Sequence, residues 1–438
     1  MQTTSQSSFV LKLALSLGPL TFLPAHATGQ EQANSTTTAV SPAIVLATTD
    51  PSIGIGFHTE YNGEGELPDL PLDHHFAFVL SSDGKLKSET RSGDIGYLKA
   101  TLHPNALLKL YQEQIDESWE TIRDSGALGL TQVGISAKQA AILMRGVRTF
   151  PEQIQAIDIT VSQNPLTRVT GMRVGVQVRP TKGSWLSGFA ARLRPHPQGA
   201  LSFKKQNAML AMSCAVETSG LQDLISPLTS VFAQVGARNK KQRTNNESIL
   251  NKLFREFDGR FTSSGNPYGG GVYTIAGIRN PEVTADFLKG GDYAEYMTAV
   301  GRGSRLVTLD AEVERISFSH REVPVTKTTI ISEHDITPTL PSGDQVSFSA
   351  VAGRHLISTT NFKPAKIKSL IDASLDQKIQ RKPVPDNALA IVDVRLMDLL
   401  DTIGPAGNPF DGLEDSPEKL RISLDSKGGS LNLRITID

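Results

Sequence analysis

His75-Phe-Ala-Phe-Val-Leu80, then Ser-Ser-Asp-Gly, then Lys85-Leu-Lys-Ser-Glu-Thr90 are two β-prone runs on either side of a turn signal. Aspartate and glycine tolerate the positive φ of a tight turn, so this stretch reads as a β-hairpin with antiparallel strands. The same sign returns at the far end of the chain. Leu420, Ile422 and Leu424 alternate with polar residues, Ser-Lys-Gly-Gly follows, and Leu431, Leu433, Ile435 and Ile437 alternate again. Between these hairpins, Met172, Val174, Val176 and Val178 alternate with Arg173, Gly175, Gln177 and Arg179, as a half-buried strand requires. Val307 to Val313 alternates too, and a phase slip before Ile316 and Phe318 predicts a bulge.

Helical periodicity fills the spaces between strands. Leu108, Tyr111, Ile115, Trp119 and Ile122 follow Pro104, a residue suited to a first helical turn. Ser136-Ala-Lys-Gln139 is a capping box opening a helix through Met144 and Val147. A stripe from Leu221 to Val235 predicts a helix kinked at Pro227, and Ile249, Leu250, Leu253, Phe254 and Phe257 predict one ended by Gly259. Asn280-Pro281 and Pro364 open two more, the second carrying Ile367, Leu370 and Ile371. Leu396, Leu399, Leu400 and Ile403 form a short helix stopped by Gly404. The fold class is therefore α+β: antiparallel meandering sheets covered by amphipathic helices.

A weak internal echo accompanies this pattern. Asn207-Ala-Met-Leu-Ala-Met and Asn387-Ala-Leu-Ala-Ile-Val each begin a strand that leads into a helix. Duplication of an αβ unit would explain the echo, and the sequence leaves open whether two related αβ lobes exist. The expected organisation is a signal peptide over 1–27, a disordered linker over 28–44, and α+β lobes over 45–205 and 206–438.

The leader follows from three features. A polar start precedes an apolar core from Leu13 to Leu23, and Ala25-His26-Ala27 supplies a small-x-small cleavage pattern. The core is too short for a membrane span, which needs roughly 20 residues. Export to the periplasm or beyond, with cleavage near Ala27, is the expectation, and no transmembrane segment is expected. The only cysteine, Cys214, excludes an internal disulfide and a lipid anchor just after the cleavage site. It sits in Met209-Leu-Ala-Met-Ser-Cys-Ala-Val216, which reads as a buried strand thiol.

Charge is unevenly spread around a net of −1. Residues 50–124 hold 14 acidic and 6 basic side chains, whereas 159–216 hold 8 basic and no acidic ones. The basic set is Arg168, Arg173, Arg179, Lys182, Arg192, Arg194, Lys204 and Lys205, surrounding Trp185, Leu186, Phe189 and Leu193 on one helical face. Such a face suits an anionic lipid or polysaccharide, or else docks inward as core with a basic rim. Nucleic acid does not suit the expected compartment, and Arg238-Asn-Lys-Lys-Gln-Arg243 reads as a solvated loop.

Motif matches fail on context. Ser82-Asp-Gly-Lys85 fits Ser-x-x-Lys, but it occupies a hairpin turn rather than a helix start. His74 and His75, near Asp69 and Asp73, point to opposite faces of a strand, and His334-Asp335 lies in a polar loop. Gly265, Gly269, Gly270 and Gly271 precede a strand, Val272-Tyr-Thr-Ile275, rather than the helix a phosphate cradle needs. No residue is assigned a catalytic, cofactor-binding or metal-ligating role. The functional expectation is an exported, non-catalytic binding or structural component of the cell envelope, contacting an anionic surface or a hydrophobic ligand. The alternative is a secreted hydrolase whose site is assembled from residues distant in sequence.

Overall fold

The computed structural model describes residues 42–49, 74–132, 144, 148–164, 168–203, 208–221, 229–230, 233, 239–266, 271–289, 312–331, 345–398 and 418–438. The leader, most of the linker, the capping-box helix, most of the Leu221–Val235 stripe, Gly404 and His334-Asp335 lie outside these residues. Pro42, Ala43 and Ile44, at the end of the stretch read as a linker, already belong to the first strand.

Among the described residues sixteen strands form one antiparallel sheet. From the N-terminus come β1 (Pro42–Thr48), β2 (His74–Ser81), β3 (Leu86–Ser92), β4 (Leu98–Leu102), β5 (Ile154–Val161) and β6 (Arg173–Pro180). β7 (Ala200–Ser202) leaves the sheet, and β8 (Leu210–Ala215), β9 (Phe257–Asn266) and β10 (Gly271–Ile278) rejoin it. β11 (Glu312–His320), β12 (Val323–Ile331), β13 (Gln345–Ala352) and β14 (His355–Thr360) follow. β15 (Gln380–Lys382) pairs only with β7, and β16 (Ala390–Arg395), β17 (Lys419–Lys427) and β18 (Ser430–Ile437) complete the set. The spatial order is β11-β12-β13-β14-β10-β9-β8-β16-β17-β18-β6-β5-β4-β1-β2-β3. Residues 206–438 thus supply ten neighbouring strands and the earlier residues six, joined where β18 meets β6.

The order is a near palindrome about the β8 and β16 pair, with the β2 and β3 hairpin as an addition at one edge. Strand β6 ends at Pro180 and β14 at Thr360, while β7 and β15, and β8 and β16, start 180 positions apart. At that spacing, Met212 lies opposite Val392 and Leu201 opposite Arg381. In both antiparallel pairs the directly opposed residues are thus separated by the same offset as the strand starts.

The helices obey the expected starts more closely than the expected stops. α1 (Pro104–Leu110) has proline in its first turn, and Tyr111 separates it from α2 (Gln112–Gln132), so one expected helix is two. α3 (Trp185–Arg192) is capped by the Ser184 hydroxyl, which accepts from the Ser187 amide. The segment read as a solvated loop contains the N-cap of α4 (Lys240–Glu256): Asn239 Oδ1 accepts from the Gln242 amide at 2.9 Å. α4 stops at Glu256, and Phe257, read as its last apolar residue, opens β9. α5 (Pro281–Lys289) and α6 (Pro364–Leu375) start at their prolines as expected. The expected bulge before Ile316 is absent: β11 pairs with β12 residue for residue from Glu312 to His320. Arg321 and Glu322, both at positive φ, close that hairpin in two residues and hold its register.

One row of directly opposed residues shows how the sheet is used. Under α6 the row is apolar: Phe318, Val325, Ala350, Ile357 and Ile275. It passes through Thr262, Ser213, Ile391 and Ser423, then becomes Arg434, Gly175, Thr160 and Lys99. The neighbouring row, on the reverse side, is apolar where this one is polar: Ala100, Ile159, Val176 and Leu433. The largest core lies beneath α6, where Ile367, Leu370 and Ile371 are fully buried against Val325, Phe348 and Ile357. Each such side chain contributes about 1.5–3 kcal/mol of burial. α5 packs on β13 and β14 from the opposite face, where Arg315 donates to the Leu288 carbonyl at 2.8 Å.

Candidate functional site

Two arrangements of polar groups stand out from the sheet. The first is a bare side on β4, β5, β6 and β18. α3, with 8 residues against the 12 of α6, packs instead on the reverse side, where the Ser426 hydroxyl donates to the Ala190 carbonyl and Leu431 joins its apolar cluster. It buries Leu186 and Ala190, whereas α6 buries Ile367, Leu370, Ile371, Ala373 and Ser374. Ile357 is buried under α6, whereas Gln177, on the same face 180 positions earlier, is exposed.

Three rows of side chains form the bare side. Lys99, Thr160 and Arg434 are exposed in one, with Gly175 among them. The second holds Thr101, Asp158, Gln177 and Asn432. The third holds Arg173, Thr436, Arg421 and Asp393. Its carboxylates are each engaged. Asp158 pairs with Arg179 at 2.8 Å and accepts from Thr101 at 2.7 Å. Asp393 takes Arg421 at 2.7 Å and Lys419 at 3.3 Å; burial raises its pKa, but the hydrogen bond and charge of Arg421 outweigh this and hold it below the usual range. Asp425, beside Asn432, accepts its amide at 2.6 Å.

The second arrangement is a buried cluster at the other end of the sheet. Strand β9 carries Asp258-Gly259-Arg260, with Gly259 at φ +100° where a Cβ would meet the Val216 carbonyl oxygen. This twist brings Asp258 and Arg260 together: Oδ2 accepts from Nε at 3.1 Å, and Oδ1 from the Arg260 amide at 2.9 Å. Arg260 is 6% exposed and also donates to Gln198 Oε1 at 2.9 Å. Gly277 makes room for the carboxylate, since a Cβ there would lie 2.3 Å from both its oxygens. Above lies the His355 ring, whose pKa is pushed down to about 4 by burial and then by the Arg260 charge. Its Nδ1 is 2.8 Å from Ser374 Oγ, and that hydroxyl donates to the Ala352 carbonyl at 2.7 Å. Ser374 therefore accepts from a protonated Nδ1, and the imidazole is neutral at physiological pH. His196, its pKa lowered by burial and Arg260, accepts from the Gln198 amide through Nδ1.

Chemically the cluster is a fastener. Ser374 is 6% exposed and its hydroxyl hydrogen is committed to a backbone carbonyl, so it is not presented as a nucleophile. The cluster ties the β9 twist to the loop before β7, and the end of α6 to β13 and β14. A second clasp holds the start of α6, where the Lys366 ammonium lies 4.6 Å from the Tyr273 ring centroid and 5.4 Å from that of Phe362.

The residues weighed in the sequence fall as follows. His74 and His75 sit on β2 with their partners on β3, and His75 is buried with Nδ1 3.1 Å from the Gly93 carbonyl. Ser82 to Lys85 form the turn between β2 and β3, where the Gly84 amide donates to the Ser81 carbonyl. Cys214 lies inside β8 and its thiol pKa is pushed up to about 11 by burial. Gly265 and Gly271 flank the β9 and β10 hairpin loop. Of the apolar basic-rimmed face, Leu186 and Leu193 are buried, while Trp185 stacks on Phe189 and remains 36% exposed. Of the basic set, Arg173 and Arg179 alone are carried onto the sheet by β6. A cleft of about 440 Å³ between α1, α2 and the turn at Phe150–Gln153 is lined by Leu108, Ile115, Lys109, Asp116, Arg148 and Glu152. Arg148 pairs there with Asp116 and covers the Trp119 ring. Among the described residues no helix is long and apolar enough to cross a bilayer.

No known family model, curated protein or solved structure matches the chain.

Proposed function

We propose that this is an exported component of the cell envelope that binds rather than catalyses, and that the bare side of β4, β5, β6 and β18 is its contact surface. One observation carries the reading: α6 seals the sheet face at β13 and β14, whereas on the same face of β4, β5, β6 and β18 Lys99, Thr160, Gln177 and Arg434 stand exposed as a polar, cation-bearing side. Apolar residues fill the reverse side of the same strands, so the exposure costs the fold no core. The leader at 1–27 supplies the compartment. Expression of the whole chain followed by osmotic shock and envelope sedimentation tests this. The expected result is a product lacking residues 1–27 by intact mass, recovered with envelope material. Retention of the full mass in the cytosol would overturn it.

We also infer that the chain contains two related units, over about 42–278 and 312–437. The palindromic strand order and the repeated spacing of 180 support this. These units cut across the blocks 45–205 and 206–438, because β10 of the first pairs with β14 of the second, and β18 of the second with β6 of the first.

The hydrolase reading has one arrangement in its favour, the proximity of His355, Ser374 and Asp258. Its test is Ser374→Ala against a panel of activated esters. Turnover by the parent chain that this change abolishes would replace the binding reading.

A further inference from the structure

We propose that the bare side of the sheet is a docking face for an anionic polysaccharide, read by Lys99, Arg173 and Arg434. This rests on the contact-surface reading above and names the partner. Asp158 and Asp393 are matched by cations and Asp425 by the Asn432 amide, and with these counted the remaining charge of this side is positive. Among the described residues, Lys99 and Arg173 have no acidic partner, and Arg434 reaches only the exposed Asp386 at 3.3 Å. Arg173 and Arg434 occupy diagonal positions across β6 and β18, since Arg173 faces Thr436 and Arg434 faces Gly175. Such neighbours lie about 7–8 Å apart and repel. A face serving only to be wet has no use for that repulsion; an incoming carboxylate or sulfate relieves it.

Gly175 shapes the centre of the patch. It is flanked by Thr160 and Arg434, and a Cβ there would come within 2.7 Å of the Thr160 hydroxyl. Its bare backbone leaves a notch between the cation of Arg434 and the hydroxyl of Thr160. Lys99 stands on the far side of Thr160, so cations bracket the notch along one line across three strand spacings. The neighbours that complete the surface are Gln177 and Thr101, groups that exchange hydrogen bonds with sugar hydroxyls. A lipid surface fits less well, because interfacial binding buries apolar side chains and this side of these strands presents none. An extended polymer with repeated acidic groups matches a flat, hydroxyl-lined and positive sheet.

The test is titration of the purified full chain with alginate, a polyuronate, beside uncharged dextran and vesicles containing phosphatidylglycerol. Binding to alginate and not to dextran is expected, weakening roughly tenfold between low and physiological salt as the charges are screened. The double change R173A with R434A should weaken it roughly tenfold or more, since each removes a charge-assisted contact. K99A should weaken it less, and K363A, an exposed lysine at the start of α6, not at all. Unchanged thermal melting separates these effects from misfolding. Absence of alginate binding at low salt, or indifference to the double change, would overturn the assignment. So would vesicle binding of equal strength abolished by the same change, which would make the partner lipid. If the chain sediments with envelope material yet ignores alginate, the docking assignment fails while the contact-surface reading stands.

Discussion

Gly277 and His355 show how single residues hold the buried cluster. Adding a methyl group at Gly277 places a carbon 2.3 Å from both oxygens of Asp258, so Gly277→Ala must displace the carboxylate from Arg260. Separating a buried pair costs about 3–5 kcal/mol, a loss that urea denaturation would measure. His355 sets a pH dependence. Its folded pKa of about 4 lies below the ordinary 6.5, so the unfolded chain takes up a proton between those values while the folded chain does not. The stability this supplies is complete above pH 6.5 and is lost as pH falls toward 4. Partial solvent screening reduces the effect to roughly 2 kcal/mol. Denaturation midpoints across that window should fall for the parent chain and stay flatter for His355→Gln. Cys214 should react slowly with thiol reagents at pH 8 until the chain unfolds, because burial keeps it protonated. None of this network was visible in the sequence. Its members stand at 198, 258, 260, 355 and 374, and only the fold brings them together. The one local sign was Asp-Gly-Arg opening a strand, charges where a core strand should be apolar.

At the scale of elements, α3 and α6 follow β6 and β14, pack on opposite sides of the sheet and carry different loads. Leu370→Ala removes a fully buried side chain and should cost about 2–5 kcal/mol by chemical denaturation. Trp185→Ala, at 36% exposure on α3, should cost about 1 kcal/mol or less. Equal losses would contradict this difference in load between the two helices. Helix starts and hairpins were legible because their causes are local: prolines at 104, 281 and 364, and the Ser-Asp-Gly and Lys-Gly-Gly turns. Helix ends were less so. Phe257 continues the apolar stripe of α4 and its amide still donates to the Leu253 carbonyl, yet the residue stands opposite Ile278 in the sheet, and periodicity does not say which element takes a shared residue. The bulge expected before Ile316 failed for a related reason. Alternation reports which residues differ in polarity, whereas register is fixed by the two-residue turn at Arg321 and Glu322.

Across the whole molecule the strand order is the feature that sequence concealed. Alternation identifies strands and says nothing about their neighbours, so the pairing of β18 with β6, more than 250 positions apart, left no trace in composition. The echo between Asn207 and Asn387 was its one surface sign, and it falls at the same spacing of 180 as the paired central strands. Because one ladder joins all sixteen strands, heat or urea should unfold the described sheet in a single step. Circular dichroism and tryptophan fluorescence should give coincident transitions, and two separated transitions would show that the six-strand and ten-strand blocks melt independently.

The placement of β18 also puts a clock on the molecule. Strand β6 is made early, but its partner is residues 430–437, so its edge stays unsatisfied while some 250 further residues are synthesised. At about 5–20 residues per second that is roughly 10–50 s during which an open strand edge is available to the wrong neighbour. A shielding factor, or passage through a membrane before folding begins, would cover that interval, and the hairpin of β17 and β18 is the piece that ends it.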